Sequence, residues 1–176
     1  MDYQKLIEIA RASIEHQLQY NTPLEVNDSL KSKFNNSAGV FVTLRKPNGD
    51  LRGCIGTIEP IYSNLAQETA RNAVSAAFSD PRFPEVTQDD YPGLTVEVSI
   101  LEPPENIDGE AALDPKRYGV IVKSKDGRRG LLLPDIEGID SVAEQVSIAK
   151  RKAQIGRNEP VQLMRFLVTK VSEDTP

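Results

Sequence analysis

The sequence predicts an α+β fold of two unequal lobes, each a mainly antiparallel sheet of strand–strand–helix–strand order with helices packed on one face, plus an N-terminal amphipathic helix. Three observations predict it. A β-rich stretch, a glycine-bearing turn and a second β-rich stretch occur twice, at 39–58 and again at 118–134. Each pair is followed by a capped helical pattern, and each helix by a further strand-like run. Connection rules then order the strands. The hairpin makes the first strand antiparallel to the second, and the helical crossover makes the second and third parallel. The third therefore pairs beside the first, giving second–first–third in each sheet.

In chain order, Tyr3, Leu6, Ile7, Ala10, Ile14 and Leu18 fall at spacings of three and four, which predicts an amphipathic helix within 2–19 with His16 on its polar, exposed side. "NDSLKSKF" follows as a short helix. Lobe one, about 39–104, opens with "GVFVTL", turns at Asn48-Gly49 and returns as "LRGCIGTI". Asn64 caps a helix through "LAQETARNAVSAAF", which "SDPRFP" stops, and "TVEVSIL" alternates until Pro103-Pro104. Lobe two, about 114–172, repeats the plan. It reads "YGVIVKS", a turn at Asp126-Gly127, "RRGLLLP", a helix opened by a Ser141–Glu144 capping box, and "VQLMRFLVTKV" as one closing strand. Aligning Gly39 with Gly119 and Gly53 with Gly130 gives a weak internal duplication in which "RGCIG" lies over "RGLLL". A three-stranded sheet is marginal alone, so residues 1–176 are expected to form one domain whose lobes pack together around a cleft.

A single cysteine excludes an internal disulfide, and one cysteine with one histidine leaves no ordinary zinc site; no metal or cofactor is implied. The net charge is −5, yet residues 1–115 hold nine basic against eighteen acidic residues, and 116–176 twelve against eight. Such a balance disfavours a dedicated nucleic-acid binder, leaving only a small basic patch at Arg128, Arg129 and Lys150–Lys152. No apolar run is long enough for a membrane span and no signal sequence is seen, so a cytoplasmic location is expected.

Candidate chemistry gathers on the hairpin. Alternation sends Leu51 and Ile55 to the helix-covered core, and Arg52, Cys54 and Gly56 to the opposite face. On the third strand the same alternation buries Val96, Val98 and Ile100 and turns Thr95, Glu97 and Ser99 outward, joined by Phe41, Thr43 and Arg45 from the first strand. Compared with Leu131 and Leu133 in the second repeat, Cys54 and Gly56 are expected to open space beside the sulfur. Arg52, about 7 Å along the strand, brings a cation that favours a thiolate. Cys54 and Glu97 are the catalytic candidates, the carboxylate serving as base or orienting group. Arg52, Gly53, Gly56, Thr43, Ser99 and, from the "DPRFP" loop, Arg82 are the binding candidates for an unknown small-molecule or peptide ligand. A lone cysteine is equally suited to filling a strand as a small hydrophobe, and both readings stand at this point.

The stretches "GVFVTL", "LRGCIGTIEP", "NAVSAAFSDPRFP", "VEVSILEPPE", "YGVIV", "GLLLP" and "EQVSIAKRKA" together resemble the AMMECR domain family, in the form of a prokaryotic stand-alone member. The resemblance implies an α+β fold of two unequal lobes, a cytoplasmic protein, and an "RGC" motif lining an interlobe cleft. It also implies association with a Memo-like protein and a radical-SAM protein in a shared modification pathway. An RNA-binding or translation-related factor is the alternative it carries, and a non-catalytic adaptor, in which the same face docks a partner protein and Cys54 is packing, is the alternative the residues themselves leave open. A stand-alone member is expected to be without the long N-terminal extension of eukaryotic members, and the sequence reads "KAQIG" where a "KAGI"-like helix ending is expected.

Overall fold

The structure, a computed structural model, describes residues 2–173, and the last residues of the chain lie outside it. The described residues divide into two compact units, 2–101 with 169–173, and Glu102–Val168. Among the described residues no helix is long and apolar enough to cross a membrane.

In the first unit, α1 (Gln4–Tyr20) buries Leu6, Ile7, Ala10 and Ile14 of the predicted stripe, with Ile9 beside them and Leu18 half-buried. His16 is half-buried on the polar side, its Nδ1 bonded to the Thr22 carbonyl at 2.8 Å. The short α2 (Asp28–Lys33) is capped by the Asn27 side chain. A hairpin of β1 (Val40–Arg45) and β2 (Leu51–Thr57) follows, its turn closed by Gly49 at φ 86°. Helix α3 (Leu65–Phe78) starts at Asn64, whose Oδ1 accepts from Gln67 N at 2.9 Å while its Nδ2 donates to Gln67 Oε1 at 2.6 Å. Strand β3 (Thr95–Leu101) then pairs antiparallel with β1. Val40, Val42, Leu44, Val96 and Val98 pack beneath α1 and α3 with essentially no exposure.

The second unit holds β4 (Glu105–Ile107), β5 (Gly119–Ser124), β6 (Arg129–Leu132), α4 (Val142–Lys152) and β7 (Val161–Phe166). Its hairpin glycine, Gly127, has φ 91°, and α4 is capped by Ser141, which accepts from Glu144 N at 3.2 Å. Asp126 at that turn has its carboxyl pulled down to about 2, chiefly by the Arg128 guanidinium hydrogen-bonded to it and by the Ser124 hydroxyl.

The sheets run β2-β1-β3-β8 and β4-β7-β5-β6, so both contain the expected second–first–third order with a fourth strand added. That fourth strand corrects the sequence reading. "VQLMRFLVTKV" is two strands, because the chain breaks at Leu167 and β8 (Val168–Ser172) joins the edge of the first sheet beside β3. The crossing is fixed from the first unit's side. Glu173 N donates to Val96 O at 3.2 Å, and the Glu173 carboxylate takes Arg11 Nε and Nη2 at 2.6 and 2.7 Å and Val96 N at 2.8 Å. Short β4 is likewise absent from the sequence reading: the two prolines before it end one strand, and three residues are too few to show a period.

Candidate functional site

Strand β2 is an edge strand, and β1 pairs with it in the register Thr43↔Cys54. At that position the main chain of Cys54 faces away from β1. Its N–H donates to Asp80 Oδ2 at 2.9 Å and its carbonyl accepts from Arg82 Nη2 at 3.3 Å. Thr43 and Cys54 are therefore a non-hydrogen-bonded pair, the closer of the two antiparallel geometries, and their side chains meet. The Thr43 hydroxyl donates to Cys54 Sγ at 3.2 Å.

The clamp is built by "DPRFP". Asp80, 2% exposed at its side chain, forms a two-pronged ion pair with Arg82 at 3.0 and 2.8 Å while also accepting the backbone N–H of Arg82 at 3.0 Å. Those hydrogen bonds, Arg82 first and then the N–H of Cys54, hold the Asp80 carboxyl well below the usual carboxylate range against the opposing effect of burial. Arg82 is raised by the same contact and keeps more than half of its side chain in solvent.

Beyond Thr43 lies β3, with Thr43↔Glu97 in register. The outer face of the sheet thus carries one row across three strands, Cys54–Thr43–Glu97, as alternation predicts. Glu97 is half-buried and its carboxylate makes no hydrogen bond or ion pair among the described residues. The next row is Gly56–Phe41–Ser99, with Ser99 buried.

Three predicted site residues are placed differently from the sequence reading. A Cβ on Gly56 would overlap the Phe41 ring, so the room left by this glycine is filled by an aromatic neighbour and does not open beside the sulfur. Gly53 faces the opposite side: a Cβ there would overlap the Ala76 carbonyl of α3, so its role is the close approach of helix to strand. Arg52 is buried and its guanidinium is taken up by a loop, donating to the carbonyls of Pro84 at 2.9 Å and Glu85 at 3.2 Å and to Asp90 Oδ2 at 3.3 Å. A guanidinium with five fixed donors suits that cluster of loop acceptors, and it holds the 84–90 segment to the strand.

Three basic residues of the predicted patch, Arg128, Lys150 and Lys152, are engaged in structure. Lys150 Nζ donates to the carbonyls of Arg157 and Glu159, and Arg128 is divided among Asp126, Glu159 and the Gln154 carbonyl. Lys152 Nζ donates to Leu131 O at 2.9 Å.

That last contact reveals how the two units correspond. A Cβ on Gly130 would overlap the Ala149 carbonyl of α4, as one on Gly53 would overlap Ala76 in α3. Leu131 then stands where Cys54 does, on the edge strand of its sheet, its carbonyl capped by a cation at the end of the helix, Lys152 being the last residue of α4. The registers Leu44↔Gly53 and Val122↔Gly130 place Thr43 opposite Ile121, two residues away from the Gly39–Gly119 alignment drawn from sequence. Glu97 corresponds to Met164 through Ile121↔Met164. The row Cys54–Thr43–Glu97 is thus thiol, hydroxyl and carboxylate where its counterpart, Leu131–Ile121–Met164, is wholly apolar.

Fold and site together define a class: proteins of two related β-β-α-β units, the first carrying a clamped thiol on an edge strand. The chain belongs to the AMMECR1 family, whose model matches residues 7–171. A Thermotoga maritima protein is 50% identical over 157 residues, covering 88% of this chain and 90% of its own length. A Clostridium acetobutylicum protein is 42% identical over 169 residues, or 95% of this chain, which spans only 36% of that relative's length. The crystal structure of an uncharacterised protein from Pyrococcus horikoshii superposes with a TM-score of 0.83 at 33% identity, covering 98% of this chain and 91% of that one.

Proposed function

We propose that the protein works through the polar row Cys54–Thr43–Glu97, as the thiol-bearing component of a modification pathway shared with a Memo-like and a radical-SAM protein. The observation that carries the site is the contrast between the two units. Capping of an edge carbonyl is common to both and so speaks only for structure, whereas the replacement of an apolar row by thiol, hydroxyl and carboxylate belongs to the first unit alone. Three polar side chains on one sheet face cost stability relative to packed apolar ones, which supports retention for chemistry. Strand spacing sets Cys54 and Glu97 about 10 Å apart, on either side of the buried Thr43. A hydroxyl that donates to sulfur fixes where the sulfur points. The exposed guanidinium of Arg82, held by Asp80, is the anion-binding group next to that row.

Iodoacetamide labelling of the folded protein tests the reading. Expected are alkylation of Cys54 without loss of the cooperative urea transition, and a slower reaction in Thr43→Val. A thiol that reacts only once the chain is unfolded defeats it. The adaptor alternative is favoured by a different observation, the exposed Ile58 (46%) and Ile61 (58%) just beyond the site. Pull-down of the Memo-like and radical-SAM proteins separates the two readings, because a docking role for these isoleucines predicts capture that survives Cys54→Ser and fails in an Ile58→Asp, Ile61→Asp double variant.

A further inference from the structure

We propose a second binding site in the first unit, for an extended acidic segment of a partner protein, along the strap Leu24–Val26 between α1 and α2. The strap is neither helix nor strand, and Leu24, Glu25 and Val26 make no hydrogen bond of any kind among the described residues. Three consecutive residues of main chain are thus left with unused donors and acceptors. The strap is nevertheless held in place at one end, since Val26 is only 5% exposed and belongs to the core. An anchored run of unpaired backbone is what a second extended chain pairs with when it adds as a strand.

The space for that chain is present. A cleft of about 460 Å³ separates the strap from α3, with Lys31, Gln67 and Arg71 on its walls. A smaller one, of about 280 Å³, lies on the strap's other side against α1. Charge selects the first and says what it takes. Arg71 is exposed and has no ion-pair or hydrogen-bond partner among the described residues. Lys31 is paired at 3.1 Å only with Asp28, whose side chain is 96% exposed, an arrangement that neutralises little. Glu25, exposed on the strap, repels a carboxylate on its own side and so directs one across the cleft toward α3. The occupant is therefore an extended segment whose main chain pairs with Leu24–Val26 and whose Asp or Glu side chain meets Arg71 and Lys31. A free small carboxylate would use the two cations and leave the strap's main chain unpaired.

A phage-displayed random heptapeptide library, selected on the full folded chain, is the probe. The expected result is enrichment of peptides with an acidic residue between β-formers. Fluorescence anisotropy of an enriched peptide should show binding that Arg71→Glu weakens roughly tenfold or more. Binding should also slow amide hydrogen exchange at Leu24, Glu25 and Val26. Arg71 is exposed, so the urea midpoint of the variant should match the parent and exclude unfolding as the cause. The site is separate from the Cys54 row, and Cys54→Ser should leave peptide affinity unchanged whatever becomes of the thiol. Selection that enriches nothing, peptides indifferent to Arg71→Glu, or displacement by an equal concentration of free glutarate would each overturn the proposal.

Discussion

Gly53→Ala should cost about 3 kcal/mol or more, the largest effect of any single methyl in the first unit. The added Cβ would lie inside the Ala76 carbonyl oxygen, and neither partner can yield alone: one is the backbone of an edge strand, the other the last full turn of α3. Relief requires the helix end to lift. That lift would carry Asp80, four residues beyond Ala76, off the Cys54 N–H, so stability and site geometry should be lost together. In urea, with a slope of about 2 kcal/mol per molar, the midpoint should fall by about 1–2 M. Gly130→Ala should do the same to the second unit through Ala149. Gly49→Ala is the control. Gly49 has a φ of 86° that alanine disfavours, but open space around it, and should cost only about 1 kcal/mol. A Gly53→Ala protein as stable as Gly49→Ala would remove the close-approach argument, and with it the correspondence that sets Cys54 against Leu131.

The outer-face row was legible in the sequence because it depends only on period two. Once Val96, Val98 and Ile100 are assigned to the core, Glu97 must face the side that holds Cys54. The capped helices and both glycine turns were legible for the same local reason, since Asn64, Ser141, Gly49 and Gly127 act within three residues of themselves. What failed was non-local. Alternation tells which face Gly56 is on, but not that Phe41 from the neighbouring strand fills the space above it. It places Arg52 on the outer face without revealing that a loop thirty residues later offers Pro84 and Glu85 carbonyls to its guanidinium. The split of the closing strand was invisible for another reason: "FLVTKV" keeps its strand character through Leu167, and only the tertiary partner changes. The two-residue error in aligning the repeats has a similar cause, because hairpin loops differ in length while register is fixed by the sheet. Only the corrected register shows that the contrast between the units is a whole row and not a single cysteine.

Asp80 is where the clamp is most exposed to test. Its carboxylate closes the free edge of β2 at Cys54 and pairs with Arg82, so Asp80→Ala leaves a strand N–H without its acceptor and should cost about 3 kcal/mol. Asp80→Asn, which keeps an oxygen for the N–H of Cys54 but loses the charge, should cost less. The pH dependence follows from the direction of the shift. The folded carboxyl is held below its unfolded value of about 3.9, so the native state binds fewer protons than the unfolded chain as pH enters the acid range. The stabilisation is therefore complete above that value and is lost progressively as pH falls toward the depressed folded one. Glu173 and Asp90, also lowered by arginine contacts, add to the same slope, so Asp80→Asn should flatten the acid limb without abolishing it. Urea titrations at pH 7, 5, 4 and 3 measure this directly. A second readout belongs to the site: with the edge unclamped, Cys54 in Asp80→Ala should alkylate faster than in the parent at pH 7, under conditions where both remain folded. Equal acid limbs in Asp80→Asn and parent, together with unchanged alkylation in Asp80→Ala, would mean that the edge of β2 is held by β1 alone and that "DPRFP" merely ends a helix.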